Sequence, residues 1–303
     1  MIRIENINFD YTAGHTMRKI QSMAGKTGQP VFLDFSLSLR GNAIYGLLGK
    51  NGTGKSTLLY MLSGLLRPQK GSITIDDCNP AERDPRLLSE LFLVPEEFDM
   101  PAVPLNSYIR MIAPFYPHFS SSVLDSCLRD FELPASLHLG KLSMGQKKKV
   151  LMSIALASGT RILLMDEPTN GLDIPSKSLF RRIVSRYMDS HRTLIISTHQ
   201  VHDVEQLLDH VLILGRHGII FNSSVTDICS RFTFETRMPG EPMDDVVYSE
   251  PTPQGNAVVA RRSNDAPETQ VNLELLFNAV ASVPWDVSAV ARSKNNTGAE
   301  MQE

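Results

Sequence analysis

Cysteine is scarce in this chain, and its three copies, Cys78, Cys127 and Cys229, are far apart and odd in number. That pattern excludes a disulfide framework and has no metal-ligand spacing, so it suits a reducing compartment. An excess of charge of one sign is also missing. The net charge is −3 with 21% charged residues, which gives no overall pull toward nucleic acid or an anionic membrane. No stretch approaches the ~20 apolar residues of a membrane-spanning helix. The first residues, Met1 to Asn6, alternate as a strand does and lack an apolar leader. The expectation is a soluble, cytoplasmic chain whose work at a membrane, if any, needs a membrane part from another chain. With 303 residues and 42% hydrophobic content, there is material for one large or two ordinary domains.

The most informative stretch runs from Ala43 to Thr57. An apolar strand-like run (Ile44, Leu47, Leu48) breaks at Gly49, and an apolar helix-like run opens with Leu58, Leu59, Met61 and Leu62. Between them the spacing is Gly-x-x-x-x-Gly-Lys-Ser in the strand-to-helix context that a phosphate loop requires. Glycines at Gly49, Gly52 and Gly54 let the backbone approach an anion, with Lys50, Asn51 and Thr53 completing the loop. Its N–H groups and the helix N-terminus then surround phosphate. Lys55 is expected to neutralise the β- and γ-phosphates, Ser56 to ligate Mg²⁺, and Thr57 to close the motif. The chain is expected to bind a nucleoside triphosphate.

Along the chain, residues 1–11 and Val31 to Leu39 alternate as strands around a polar, glycine-bearing stretch at 12–29. Short strands are expected at Ser72 to Ile75 and Leu91 to Val94, with a charged connection over 76–90. From Leu105 to about Leu137 the period becomes helical, broken by Pro114, Pro117 and Pro134. A basic helix follows from Lys147 to Ala157, and its Lys147-Lys148-Lys149 run reads as a solvated face. Arg161 to Glu167 and Thr193 to His199 are buried strands with polar ends, separated by a helix from Ser176 to Met188. A helix over about 201–208 and strands at about 210–214 and 218–221 close this part. Repeated βα units imply a mainly parallel sheet with ligands at the strand C-terminal ends, preceded by an antiparallel sheet. Beyond residue 231 the chain is rich in Pro, Gly, Asp and Glu. A hairpin (Val246 to Ser249 against Ala257 to Ala260) and a short helix (Asn272 to Val280) are expected there, with disorder over 292–303.

Three strand ends therefore carry chemistry: Gly49 to Thr57, Asp166-Glu167 and His199. In a Mg·ATP site Asp166 would hold Mg²⁺ and Glu167 would polarise an attacking water. His199, placed after an apolar strand downstream of Asp166, would contact the γ-phosphate or the water. The other seven histidines read as structural.

Taken in order, Gly49–Thr57, Leu142-Ser143-Met144-Gly145-Gln146, Ile162–Thr169, Asn170-Gly171-Leu172-Asp173 and Ser197-Thr198-His199 resemble the ATP-binding subunit of ABC transporters. The resemblance covers roughly residues 1–230 and points to the exporter-type bacterial subgroup. It implies an α/β P-loop NTPase: a RecA-like core with an N-terminal antiparallel β subdomain and a helical subdomain at about 96–160. Residues 231–291 would be a small C-terminal extension. The cofactors implied are ATP and Mg²⁺. The partners are a second ATPase subunit, the same chain or a close relative, and a separate membrane permease, with no nucleic acid. Tyr11 would stack on adenine, Phe9 being the other candidate. Ser143, Gly145 and Gln146 of one protomer would meet the γ-phosphate on the other, with Asp173 at the seam.

The family pattern is broken twice. Glu96, with Glu97 as competitor, stands where Gln is usual after the strand at 91–94, and is expected to bind Mg²⁺ and a water while adding negative charge. Met144 replaces the signature's first Gly. A soluble ATP-gated switch acting on ribosomes or nucleic acid is the alternative. Such relatives carry two ATPase domains or a long coiled coil, whereas this chain has one P-loop and no sustained heptads.

Overall fold

A computed structural model describes residues 1–11, 30–134, 136–216, 218–263 and 265–282. The polar stretch expected at 12–29 and the tail at 292–303 lie outside the described residues.

The chain begins with β1 (Ile2–Phe9), whose Ile2, Ile4, Ile7 and Phe9 are buried. It pairs antiparallel with β2 (Phe32–Leu39) and with β4 (Lys70–Ile75), giving the order β2-β1-β4. Strict alternation would put Asn6 inside. A register shift between Ile4 and Ile7, with Asn6 at φ 48°, turns it out instead.

The second sheet is built from β3 (Ile44–Leu48), β5 (Leu91–Val94), β6 (Ile162–Asp166), β7 (Thr193–Thr198), β8 (His210–Leu214) and β9 (Ile219–Ser224). Its order is β5-β6-β7-β3-β8-β9, parallel throughout except for β9. These strands are apolar without alternation because both faces are covered. Ile162 and Leu164 face one hydrophobic cluster, shared with β1, β2 and α1 (Lys55–Leu62). Leu163 and Met165 face the other, which takes in α4 (Ser121–Asp130), α5 (Met144–Ala157) and α6 (Ile174–Tyr187). α2 (Pro85–Leu88) and α3 (Leu105–Ile112) precede these in the chain, and α7 (Val225–Arg231) and α8 (Leu273–Ser282) follow. Among the described residues no helix is long and apolar enough to cross a membrane.

One expectation needs correction and two gain detail. The charged connection at 76–90 contains a 3₁₀ turn, Pro80–Glu82, followed by α2, each capped by a side chain, Asn79 and Asp84. Residues 201–208 form two 3₁₀ turns, Val201–Asp203 and Glu205–Leu207, not one helix. The expected hairpin exists as β11 (Val246–Thr252) against β12 (Gly255–Arg261), but β10 (Phe232–Arg237) joins it in the order β10-β12-β11.

Candidate functional site

The sheet order sets the ends of β5, β6, β7 and β3 side by side. Val94 pairs with Met165, Asp166 with Ser197 and Leu48 with Thr198, so the groups that follow these residues share one edge. β3 ends at Leu48, and the chain turns through Gly49, Lys50, Asn51, Gly52, Thr53 and Gly54 into α1 at Lys55. Gly54 has φ 101°, and a Cβ there would come within 2.7 Å of Val31 Cγ1 and 2.9 Å of Phe32 Cζ, so glycine is required. The Thr53 hydroxyl donates to Lys50 O at 2.9 Å and closes the loop on itself. Lys55 Nζ donates to Gly49 O at 2.8 Å. Burial lowers its pKa, opposed by the carboxylates of Glu167, Asp166 and Glu96.

Asp166 is 1% exposed. Its Oδ1 accepts a hydrogen bond from Ser197 Oγ, and the Ser56 hydroxyl faces the same carboxylate. Oδ2 is buried with no hydrogen-bond partner. Burial pushes the carboxyl up, and the Ser197 and Ser56 hydroxyls offset that only in part. An orphaned carboxylate oxygen beside a hydroxyl is a hard-oxygen donor set that fits Mg²⁺. No cluster of three or more His, Cys, Asp or Glu suited to a metal occurs among the described residues.

Glu167, the next residue, has φ 44°, a left-handed conformation unusual for a side-chain-bearing residue. The chain reverses direction there, and the side chain lies 4% exposed. Its Oε2 accepts from Thr198 Oγ1 at 3.0 Å, and its Oε1 accepts from His199 N at 3.0 Å. His199 Nδ1 is 2.7 Å from the same Oε1; because a carboxylate only accepts, Nδ1 carries the proton. The histidine thus orients the glutamate. Glu96 is half-buried and its Oε1 accepts from Asn170 Nδ2 at 2.9 Å, whereas Glu97 is exposed.

Ser143 caps α5. Its hydroxyl accepts from Gln146 N at 3.3 Å while Gln146 Oε1 accepts from Ser143 N at 3.0 Å, a reciprocal capping box. A Cβ on Gly145 would stand 3.6 Å from Gly171 O, which brings the signature turn against the turn that leads to Asp173. Asp173 caps α6, accepting from Ser176 N at 2.9 Å. Ser143, Met144 and Asp173 are exposed. Tyr11 meets the P-loop helix through a 2.7 Å hydrogen bond between its hydroxyl and Thr57 Oγ1. Phe9 is buried and meets the Tyr11 ring edge-on at 5.0 Å, so of the two rings Tyr11 is the accessible one.

The lysine run contradicts its expected role as a solvated face. Lys148 is 6% exposed, and its Nζ donates to Glu167 O at 2.9 Å and Asn170 O at 3.0 Å. Neither Lys148 nor Asn170 stood out as a site residue in the sequence. From Val150 onward α5 is buried all round, so helical period offers no polar face by which to sort its lysines.

Residues 32–170 match the family model described as ABC transporter. The chain is 31% identical to the SkfA peptide export ATP-binding protein SkfE of Bacillus subtilis, over 59% of this chain and 77% of the relative. It is 28% identical to the ABC transporter ATP-binding protein NatA of the same organism, over 64% of this chain and 82% of the relative. Among solved structures, it is similar to an ATP-binding subunit of an ABC transporter (TM-score 0.63, 23% identity), over 75% of this chain and 91% of that one. A dimeric, post-hydrolysis ATP-binding cassette bound to ADP and Pi also shares the fold (TM-score 0.60, 20% identity), over 74% and 98%. With that kinship joined to a P-loop, two strand-end carboxylates and a capped signature turn, the chain belongs to the ABC transporter family, as an ATP-binding, ATP-hydrolysing subunit.

Proposed function

We propose that this subunit holds Mg·ATP across the ends of β3, β6 and β7, pairs head to tail around two ATP, and drives a separate membrane permease in the direction of export. The observation that carries the reading is the meeting of Lys55, Ser56, Asp166, Glu167 and His199 at adjacent strand ends, with Asp166 Oδ2 buried and unpartnered.

Lys55 and the loop N–H groups grip the β- and γ-phosphates, and the Tyr11 ring takes the adenine. Ser56 and Asp166 are the residues that would hold Mg²⁺, with Glu96, held by Asn170, as a further candidate; the ion would neutralise phosphate charge as it does across P-loop enzymes. Glu167, fixed by Thr198 and His199, is the base that takes a proton from the attacking water. His199, exposed at the end of β7, would also contact the γ-phosphate.

Pairing is supported by the exposed signature turn, which lies against Gly171, and by the exposed Asp173 and Ile174, the latter 82% exposed. A permease contact is supported by Met111 and Phe115, 62% and 71% exposed after the start of α3. Through that contact the subunit sits on the cytoplasmic face of the membrane. The export direction is supported by the kinship to SkfE and to a Nod factor export ATP-binding protein of Cupriavidus pinatubonensis, 31% identical over 67% of this chain and 64% of the relative. Residues 1–230 form the ATPase domain, with 96–160 as its helical part and 231–291 as a small extension.

Nucleotide titration tests the grip. Lys55→Ala is expected to abolish binding of a fluorescent ATP analogue. Retained affinity in that variant would remove the P-loop from the account. Light scattering with Mg·ATP tests the pairing, expected as a doubling of mass that ADP reverses.

A further inference from the structure

Lys148 places a buried ammonium against the turn that runs from Glu167 to Asn170. Its two hydrogen-bond acceptors, Glu167 O and Asn170 O, are neutral carbonyls, so neither balances its charge. A buried cation of this kind is costly unless an anion stands nearby. The anions that raise its pKa against the lowering effect of burial are Glu96, first, then Glu167 and Asp166. Asn170 is the physical bridge. Its carbonyl takes the Lys148 ammonium at 3.0 Å and its side-chain amide donates to Glu96 Oε1 at 2.9 Å. One chain of contacts therefore runs from α5, across the turn after β6, to the segment after β5.

That turn is the one that carries Glu167 in its left-handed conformation. A strained residue stays in place only when its surroundings hold it. Without Lys148, Glu96 would stand as a third negative charge with Glu167 and Asp166, and Lys55 would be the cation left to offset all three. A neutral amide side chain at this position would create no such need.

We propose that Lys148 is a positioning residue for ATP turnover, which fastens the Glu167 turn to α5 and supplies the positive charge that lets a glutamate stand at position 96. The proposal rests on the reading of Glu167 and Glu96 as residues of the ATPase site.

The test is a double-mutant cycle in the full chain with Lys148→Gln, Glu96→Gln and the pair, reading kcat and KM for Mg·ATP alongside Tm. Lys148→Gln is expected to lower kcat about tenfold, with KM moved less than about threefold, when Glu96 is present. In the Glu96→Gln background the same substitution is expected to lower kcat less than about threefold. The loss of Tm is expected to shrink by half or more in that background as well. A merely structural tie to two carbonyls would give equal losses in both backgrounds, and that result overturns the proposal, as does a Lys148→Gln protein with wild-type kcat. Should Lys148→Gln fail to melt cooperatively, Asn170→Ala cuts the bridge and leaves the ammonium in place. Its loss of kcat is expected to be larger with Glu96 present than in the Glu96→Gln background, and equal losses again overturn the proposal. If Glu167→Gln turns over ATP as fast as wild type, the reading of Glu167 fails. The Tm cycle then still decides whether Lys148 and Glu96 compensate one another.

Discussion

At Asp166 stability and chemistry oppose each other within one side chain. Burial holds its carboxyl above the usual carboxylate range, and Oδ2 has no partner. The folded state therefore binds this proton more tightly than the unfolded state does. The resulting penalty is absent at acid pH and sets in as pH climbs from the ordinary aspartate value through the raised one. At neutral pH, Asp166→Asn is expected to raise Tm and to remove Mg²⁺-dependent hydrolysis, a trade of function against stability. A lowered Tm in differential scanning calorimetry would contradict the strain assigned to this carboxylate. The strand-end positions of Lys55, Ser56, Asp166 and Glu167 were legible in the sequence because a phosphate loop and a strand-end acid pair have fixed spacings. Lys148 was not, because a lysine in a run of three carries no mark of which one turns inward. The orientation of Glu167 by His199 was also hidden. It depends on the register of β6 against β7, and only Asp166↔Ser197 pairing brings the two together.

Among the elements, α5 is held at both ends by different chemistry. Ser143 and Gln146 satisfy its first N–H groups. At its other end Arg192, 7% exposed, donates to Ala155 O, Leu156 O, Thr160 O and Tyr187 O at 2.8–3.4 Å. A cation at a helix C-terminus meets both the orphan carbonyls and the dipole. Arg192→Met leaves buried carbonyls unpaired and is expected to cost about 2–4 kcal/mol in urea unfolding. ATP affinity of the folded protein should be unchanged. A cost near zero would show that water takes over the carbonyls. The 201–208 segment shows how an element can be misread. Val201, Val204 and Leu207 are buried at a spacing of three, which an α-helix tolerates but which 3₁₀ turns match directly. The pattern alone does not separate the two.

For the molecule as a whole, the parallel sheet was legible from its unbroken apolar strands, but its order was not. Sequence places β3 first among these strands, whereas the sheet places it between β7 and β8. The region beyond residue 231 was less legible, because its Pro- and Gly-rich stretches mask the strand that begins at Phe232. It is no loose appendage in packing terms. Leu273, Leu276 and Val280 of α8 belong to the same hydrophobic cluster as α5 and β7, and Glu274 meets His202 at 2.6 Å, three residues past His199. Leu276→Ala is expected to cost about 2–5 kcal/mol in a single cooperative transition, as for a core leucine. A separate, early transition confined to the extension would show that α8 unfolds apart from the ATPase domain.

The central claim is that Glu167, fixed by Thr198 and His199, activates the water that cleaves ATP. Single-turnover hydrolysis by the Glu167→Gln protein, with nucleotide occupancy followed in the same sample, tests it most directly. Full occupancy by ATP is expected, with hydrolysis slowed by about 10²–10⁴-fold, the contribution of a lost general base. Unchanged hydrolysis at full occupancy would contradict it.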